Sequence, residues 1–333
     1  MLSAAEVKEI ARDLGADLVG IAPMERYEGA PLQMDPRQIM PEAKSMIVMA
    51  FRVMWGSLRG IEEGTFFSNY SSMGYGGLTY LYMPLVAINL SKAIEDSGFE
   101  AVPIGHQSDW RAVDNVGGSR QRYSEPVAEG RAAPDVMLHL RIAGYLAGLG
   151  EIGYSKVFLT PQFGPRQRLG VVLTDLPLEP DPIYAGPQLC NRCKACAREC
   201  PGQAISQDRE VTVTLAGRRV SWAELDCQAC DIAFRGGRVA SEGEEATYCE
   251  PMYGNPIAPS PYTPFYRKPR NLYNTGQAVC GGRGCLRACM INLEARGVLG
   301  NKFEQPFRRR KPWLMDWTSQ PGTALAGEAK EAD

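Results

Sequence analysis

CNRCKACARECP, residues 190–201, is the stretch whose spacing organises the rest of the chain. Cys190, Cys193 and Cys196 recur every third residue, so three thiolates can wrap one face of a cubane iron–sulfur cluster. Cys200 follows after three intervening residues and is carried by the next turn toward a second cluster. Pro201 starts that turn, because its ring and missing N–H reject helix continuation. A zinc ion would take four thiolates in Cys-x-x-Cys pairs, and a run of three closed by Cys-Pro argues against that.

Two clusters need more thiolates, and the chain has ten cysteines, all between Cys190 and Cys289. Cys280, Cys285 and Cys289 form a second, less regular set. The spacing therefore predicts two [4Fe–4S] clusters. One uses Cys190, Cys193, Cys196 and Cys289; the other uses Cys200, Cys280, Cys285 and one middle cysteine. Cys227, Cys230 and Cys249 compete for that place; Cys227 is preferred, Cys230 comes second, and the others are read as buried or free thiols. The span from Cys200 to Cys280 is far longer than a small ferredoxin's, so an insertion separates the two halves of the motif.

The first 189 residues contain no cysteine, which divides the chain into a body and a cysteine-rich part. Clustered thiols in a chain of 333 residues, long enough for a sizeable core, point to metal rather than to a disulfide framework. Net charge is −2, which gives no global pull toward nucleic acid or anionic membrane. The amphipathic N-terminus shows no export signal and no apolar run approaches a membrane span. The expected location is the cytoplasm.

Working back toward the N-terminus, Ser3 and Glu6 form a capping box, with Val7, Ile10, Ala11 and Leu14 at helical spacing. Residues 17–22, 45–50, 101–104 and 169–174 read as strands, and 78–96 and 135–147 as helices, with Pro84 awkward inside the former. Residues 107–134 read as a long loop. Alternating strands and helices predict an α/β body over 1–180, a two-cluster ferredoxin-like domain over 181–300, and a tail over 301–333. In the tail, Arg308 to Lys311 with Trp313 and Trp317 read as a charged segment strapped down by aromatics.

GLGEIGYSKVFLTPQFGPRQRLGVVLTDLPL, residues 148–178, followed by the cysteine run, resembles the corrinoid-dependent reductases. That group comprises the reductive dehalogenases and the epoxyqueuosine reductases, and the likeness runs from roughly residue 70 to 290. It implies a nitroreductase-like body that binds base-off cobalamin without a protein ligand to cobalt. The two histidines, His106 and His139, agree with this, since neither lies in an Asp-x-His-x-x-Gly pattern. The resemblance further implies Tyr80 as a proton donor, His106 where the family has Asn, and Tyr154, with Lys156 nearby, where it has a cation. Gly148, Gly150, Gly153, Arg166 and Arg168 would contact the cofactor.

The expected function is two-electron reduction of a small organic substrate, fed by a low-potential donor such as ferredoxin or flavodoxin, with nucleic acid not expected as a partner. Two alternatives stand beside it. In an epoxyqueuosine reductase Asp135 would lie near the proton donor's place, although an N-cap role suits it better. A non-catalytic electron carrier or reductive activator would use the clusters alone.

Overall fold

The computed structural model describes residues 1–63, 66, 68–106, 126–134, 136–234, 236–239, 242, 257–259 and 278–307. Asp135, Cys249, the tail from Arg308 onward and most of the long loop lie outside the described residues.

Helix α1 (Ala4–Asp13) starts at the expected capping box, in which the Ser3 side chain accepts from the Glu6 N–H and Glu6 reaches back to the Ser3 N–H. It buries Val7 and Ala11. Strands β1 (Leu18–Pro23) and β2 (Ser45–Arg52) follow, and then the short helix α2 (Arg59–Glu63). Residues Tyr70–Tyr82 form a π-helix that runs directly into α3 (Met83–Glu95). The awkward Pro84 sits at the junction where the π-helix passes into α3, a place where an irregular hydrogen-bond ladder accommodates a residue without an N–H. Next come β3 (Ala101–Ile104), α4 (Leu140–Leu146), β4 (Glu151–Ile152), β5 (Phe158–Leu159) and β6 (Gln167–Thr174).

The main sheet has four strands in the order β1-β2-β6-β3, every pair antiparallel. The mixed helix–strand expectation holds. The direction of pairing was not legible from alternation, because β2 and β6 are joined by a long excursion that can return either way. β2 is buried on both faces, and its two-residue period splits it between two cores. Ile47, Met49 and Phe51 pack with Val7, Val86 and Leu90 on one side. Met46, Val48 and Ala50 pack with Ala143 and Leu146 on the other. Each such side chain contributes roughly 1.5–3 kcal/mol on burial.

The cysteine-rich part carries α5 (Ala195–Arg198), the hairpin β7 (Ile205–Leu215) and β8 (Arg218–Leu225), α6 (Cys227–Phe234), the pair β9 (Gly237–Val239) and β10 (Ile257–Pro259), a second π-helix at Arg283–Ala288, and α7 (Cys289–Ala295). Ala216 and Gly217, both at positive φ, turn the β7–β8 hairpin. The described residues of the insertion between the two halves of the cysteine motif form this hairpin, α6 and the β9–β10 pair. Leu286 and Met290 share a core with α1 and α3, so the return of the chain packs directly on the body. A buried ion pair, Arg287 to Glu62 of α2, ties the same segment down. Among the described residues no helix is long and apolar enough to cross a membrane.

Candidate functional site

The cysteine run is bent by two non-glycine residues in the left-handed region, Arg192 at φ 55° and Lys194 at φ 58°. Such residues cost about 1–3 kcal/mol each and persist where the surroundings demand them. Here they bracket Cys193 and lead into α5, which carries Cys196. The N–H of Tyr154 donates to Cys190 Sγ at 3.2 Å, and Glu151 accepts from the Cys190 N–H. Cys289 enters from the start of α7. Burial pushes the Cys196 thiol up to about 11, and Cys190 and Cys193 add to that. Burial also drives Cys289 well above the usual thiol range, helped by Cys190, Cys196 and Cys193. Cys190 and Cys193 therefore stand near enough to both Cys196 and Cys289 to oppose the ionisation of those two thiols.

A second set is recorded in the same way around Cys285. Its thiol is pushed up by burial first, then by Cys280, Cys230 and Cys200. Cys200, Cys230, Cys280 and Cys285 all face one cavity. The preferred Cys227 does not; its Sγ points to the Leu225 carbonyl at 3.9 Å. Both residues lie on α6, three positions apart, and the docking of that helix turns Cys230 rather than Cys227 to the cavity. Gly284 allows the two sets to interlock. A Cβ there would fall 2.4 Å from the Cys196 carbonyl oxygen and 2.8 Å from the Cys200 nitrogen. Among the described residues no three Cys, His, Asp or Glu side chains gather as a single metal ion requires.

Tyr70, Tyr75, His106, His139 and Arg168 share the cavity with the second cysteine set. The Arg168 Nη2 donates to the Tyr70 hydroxyl at 3.1 Å, and the guanidinium lies 4.6 Å over the Tyr75 ring. Its buried Nε makes no hydrogen bond among the described residues. Burial pushes the Tyr70 phenol up to about 12 despite Arg168 beside it. His139 caps α4, its Nδ1 accepting from the Ile142 N–H, and burial lowers its pKa to about 3. The enclosed space is about 240 Å³, below the roughly 300–1,000 Å³ usual for small-molecule sites. The described residues leave room for a small organic molecule beside the cysteines.

Several residues singled out from the sequence lie elsewhere. Tyr80 is not on the cavity wall; it stands one tyrosine away, its hydroxyl 3.3 Å from that of Tyr75. Tyr154 belongs to the first cysteine set, buried with its hydroxyl donated to the Ser206 carbonyl at 3.0 Å. The glycines accommodate the chain itself. A Cβ on Gly148 would lie 2.1 Å from the Pro182 oxygen, one on Gly150 1.9 Å from the Leu159 oxygen, and one on Gly153 3.1 Å from Leu159 Cδ1. Arg166 is fully buried; its Nη1 donates to the Val53 carbonyl at 2.8 Å and its Nη2 to the Asn301 Oδ1 at 2.7 Å. Burial lowers its pKa to about 10. Tyr75 is a residue on the cavity not singled out from the sequence, while Cys230 is the second choice there. Tyr75 had a visible signal, a tyrosine spacing of five in residues 70–80, whose meaning depends on the π-helix.

No family model matches the chain. A tetrachloroethene reductive dehalogenase of Desulfitobacterium hafniense is 45% identical over 69 residues, 20% of this chain and 12% of that protein. An epoxyqueuosine reductase of Synechococcus sp. (strain CC9605) is 36% identical over 86 residues, 26% of this chain and 25% of that protein. Over these stretches the chain is similar to the reductive dehalogenases and the epoxyqueuosine reductases. The match spans about an eighth of the length of the dehalogenase and a quarter of that of the epoxyqueuosine reductase. Among solved structures, the catabolic reductive dehalogenase NpRdhA in complex with 3-bromo-4-hydroxybenzoic acid superposes with a TM-score of 0.48 at 19% identity, over 95% of this chain and 42% of that one.

Proposed function

We propose that the chain is an iron–sulfur- and corrinoid-dependent reductase that delivers two electrons to a small organic substrate. One observation carries the reading. Cys200, Cys230, Cys280 and Cys285 share a cavity wall with Tyr75, His106 and Arg168, so an electron source and groups able to orient a polar substrate meet in one space. The cluster ligands are proposed as Cys190, Cys193, Cys196 and Cys289 for one cubane and Cys200, Cys230, Cys280 and Cys285 for the other. The donor chemistry fits: each set is four thiols, and the burial that raises Cys196, Cys289 and Cys285 is offset once a multi-iron cluster supplies positive charge. A cubane is held at its corners, which agrees with the lack of convergence on a single point.

When bound, the clusters supply electrons at low potential and the corrinoid a strong reductant. The chain does the rest. Its Tyr154 N–H holds Cys190, Gly284 lets the two cysteine segments cross, and burial strengthens electrostatic contacts to a substrate. Arg168 brings a cation whose Nε is available to a polar or anionic substrate group.

The test is anaerobic purification, metal analysis and titration with cobalamin. About eight iron and eight sulfide per chain are expected, with a shift in the cobalamin spectrum on binding. Four iron, zinc in place of iron, or no cobalamin binding would overturn this reading, the last leaving an electron carrier. A second reading, reduction of an epoxyqueuosine RNA, has one observation in its favour: the epoxyqueuosine reductase match covers 26% of the chain against 20% for the dehalogenase. Turnover of that RNA, and not of halogenated phenols or alkenes, would establish it.

A further inference from the structure

Tyr70, Tyr75 and Tyr80 recur at intervals of five inside the π-helix Tyr70–Tyr82. On an α-helix residues five apart point about 140° away from each other. Hydrogen bonding from i to i+5 brings them to one side instead. The Tyr75 and Tyr80 rings meet edge to face at 5.8 Å, with hydroxyls 3.3 Å apart. His106 joins both, its Nε2 3.4 Å from the Tyr75 hydroxyl and its ring 5.7 Å from that of Tyr80. Exposure is graded along the group: Tyr75 is 4% exposed and faces the cavity, whereas Tyr80 is 38% exposed. His106 also borders a second cavity of about 630 Å³, shared with Gln38 and Arg131. The imidazole thus borders both the cysteine-lined space and this second one.

We propose that Tyr80, His106 and Tyr75 form a relay that moves protons from water into the cysteine-lined cavity. The proposal rests on the reductase reading above. Each two-electron reduction requires at least one proton, the electrons arriving from the low-potential donor through the cysteine-bound clusters. The Tyr75 O–H bond breaks as the new bond from hydrogen to substrate forms. The Tyr75 oxygen then takes a proton from His106 Nε2 or from the Tyr80 hydroxyl, and water reprotonates that donor. One proton passes from water to substrate, and no residue is oxidised or reduced. Arg168 lies over the Tyr75 ring, a cation beside the donating residue. Tyr75 meets the substrate; Tyr80 and His106 act through it.

Simple aromatic packing would need the rings and not the hydroxyls, so phenylalanine substitutions separate the two. Anaerobically purified holoenzyme, reduced methyl viologen and a brominated phenol supply the assay, run in H₂O and D₂O. Tyr75→Phe is expected to lose about 100-fold in turnover, the scale of a general acid, while keeping wild-type iron and the reduced-cluster spectrum. Tyr80→Phe and His106→Gln should each lose about tenfold, show a larger solvent isotope effect, and recover with added imidazole. A wild-type rate in Tyr75→Phe would overturn the relay. Should wild type reduce no substrate, the reductase reading fails, and the ring signals of the two histidines decide the relay separately. Arg131, His139, Arg141, Arg168 and Arg283 border the same cavities, and Tyr75 and Tyr80 meet His106. Its titration midpoint should move by about half a unit in both phenylalanine variants; an unchanged midpoint in both would overturn the relay.

Discussion

Removing the Glu62 carboxylate should destabilise the whole cysteine-rich return of the chain. Glu62 and Arg287 are paired with side-chain exposures of 1% and 5%. Burial alone pushes the Glu62 carboxyl up and the Arg287 guanidinium down, so each ion depends on the other. Glu62→Ala leaves the guanidinium buried without its counter-ion, which costs about 3–5 kcal/mol. At about 2 °C per kcal/mol for a chain of this size, the melting temperature should fall by roughly 6–10 °C. The pair joins α2 to the π-helix that carries Cys285, so iron from the second cysteine set should be lost first on warming. Replacing both partners, as Glu62→Leu with Arg287→Met, removes two buried charges together and should restore most of the loss. Circular dichroism melts under anaerobic conditions, with iron measured alongside, decide the matter. A single variant melting within about 2 °C of wild type, or a double variant no better than Glu62→Ala, would refute the reasoning.

Cys230→Ala should reduce iron to about half of the wild-type content by removing a corner ligand of one cubane, while Cys227→Ala should retain it; the reverse result would return Cys227 to the site. Gly284→Ala pushes a methyl into the Cys196 carbonyl and the Cys200 nitrogen, and both clusters should assemble poorly, read as iron per chain after reconstitution. Arg166→Met should destabilise the 299–307 segment through loss of its bonds to Val53 and Asn301, seen as faster amide exchange there. His139 has a folded pKa lowered from 6.5 to about 3. The unfolded chain therefore binds the extra proton more readily, and stability should decline as pH falls below about 6.5, by up to about 1.4 kcal/mol per unit until about pH 3. His139→Asn keeps an N-cap and should remove that slope in urea titrations between pH 6.5 and 4.

The sequence by itself determined the local elements and the thiol chemistry. The Ser3–Glu6 box, the apolar runs of β1, β2 and β6, and the three-residue rhythm of Cys190, Cys193 and Cys196 are short-range signals, each written within a few residues. Tertiary structure decided what no short window contains. Cys227 and Cys230 are equivalent on paper; only the packing of α6 turns one toward Cys200, Cys280 and Cys285. Arg166 and Arg168 are two residues apart, yet Arg166, just before β6, donates to Val53 and Asn301 while Arg168, on β6, reaches the cavity; only the long-range packing around each separates them. The glycines around residue 150 looked like room for a ligand, but the close approach they permit is taken by Pro182 and Leu159. Tyr70, Tyr75 and Tyr80 line up because the backbone adopts i→i+5 hydrogen bonds, a choice stabilised by long-range packing rather than by local propensity. Side chains distant in sequence share a site only when the sheet, helices and buried ion pair have fixed where each backbone segment lies.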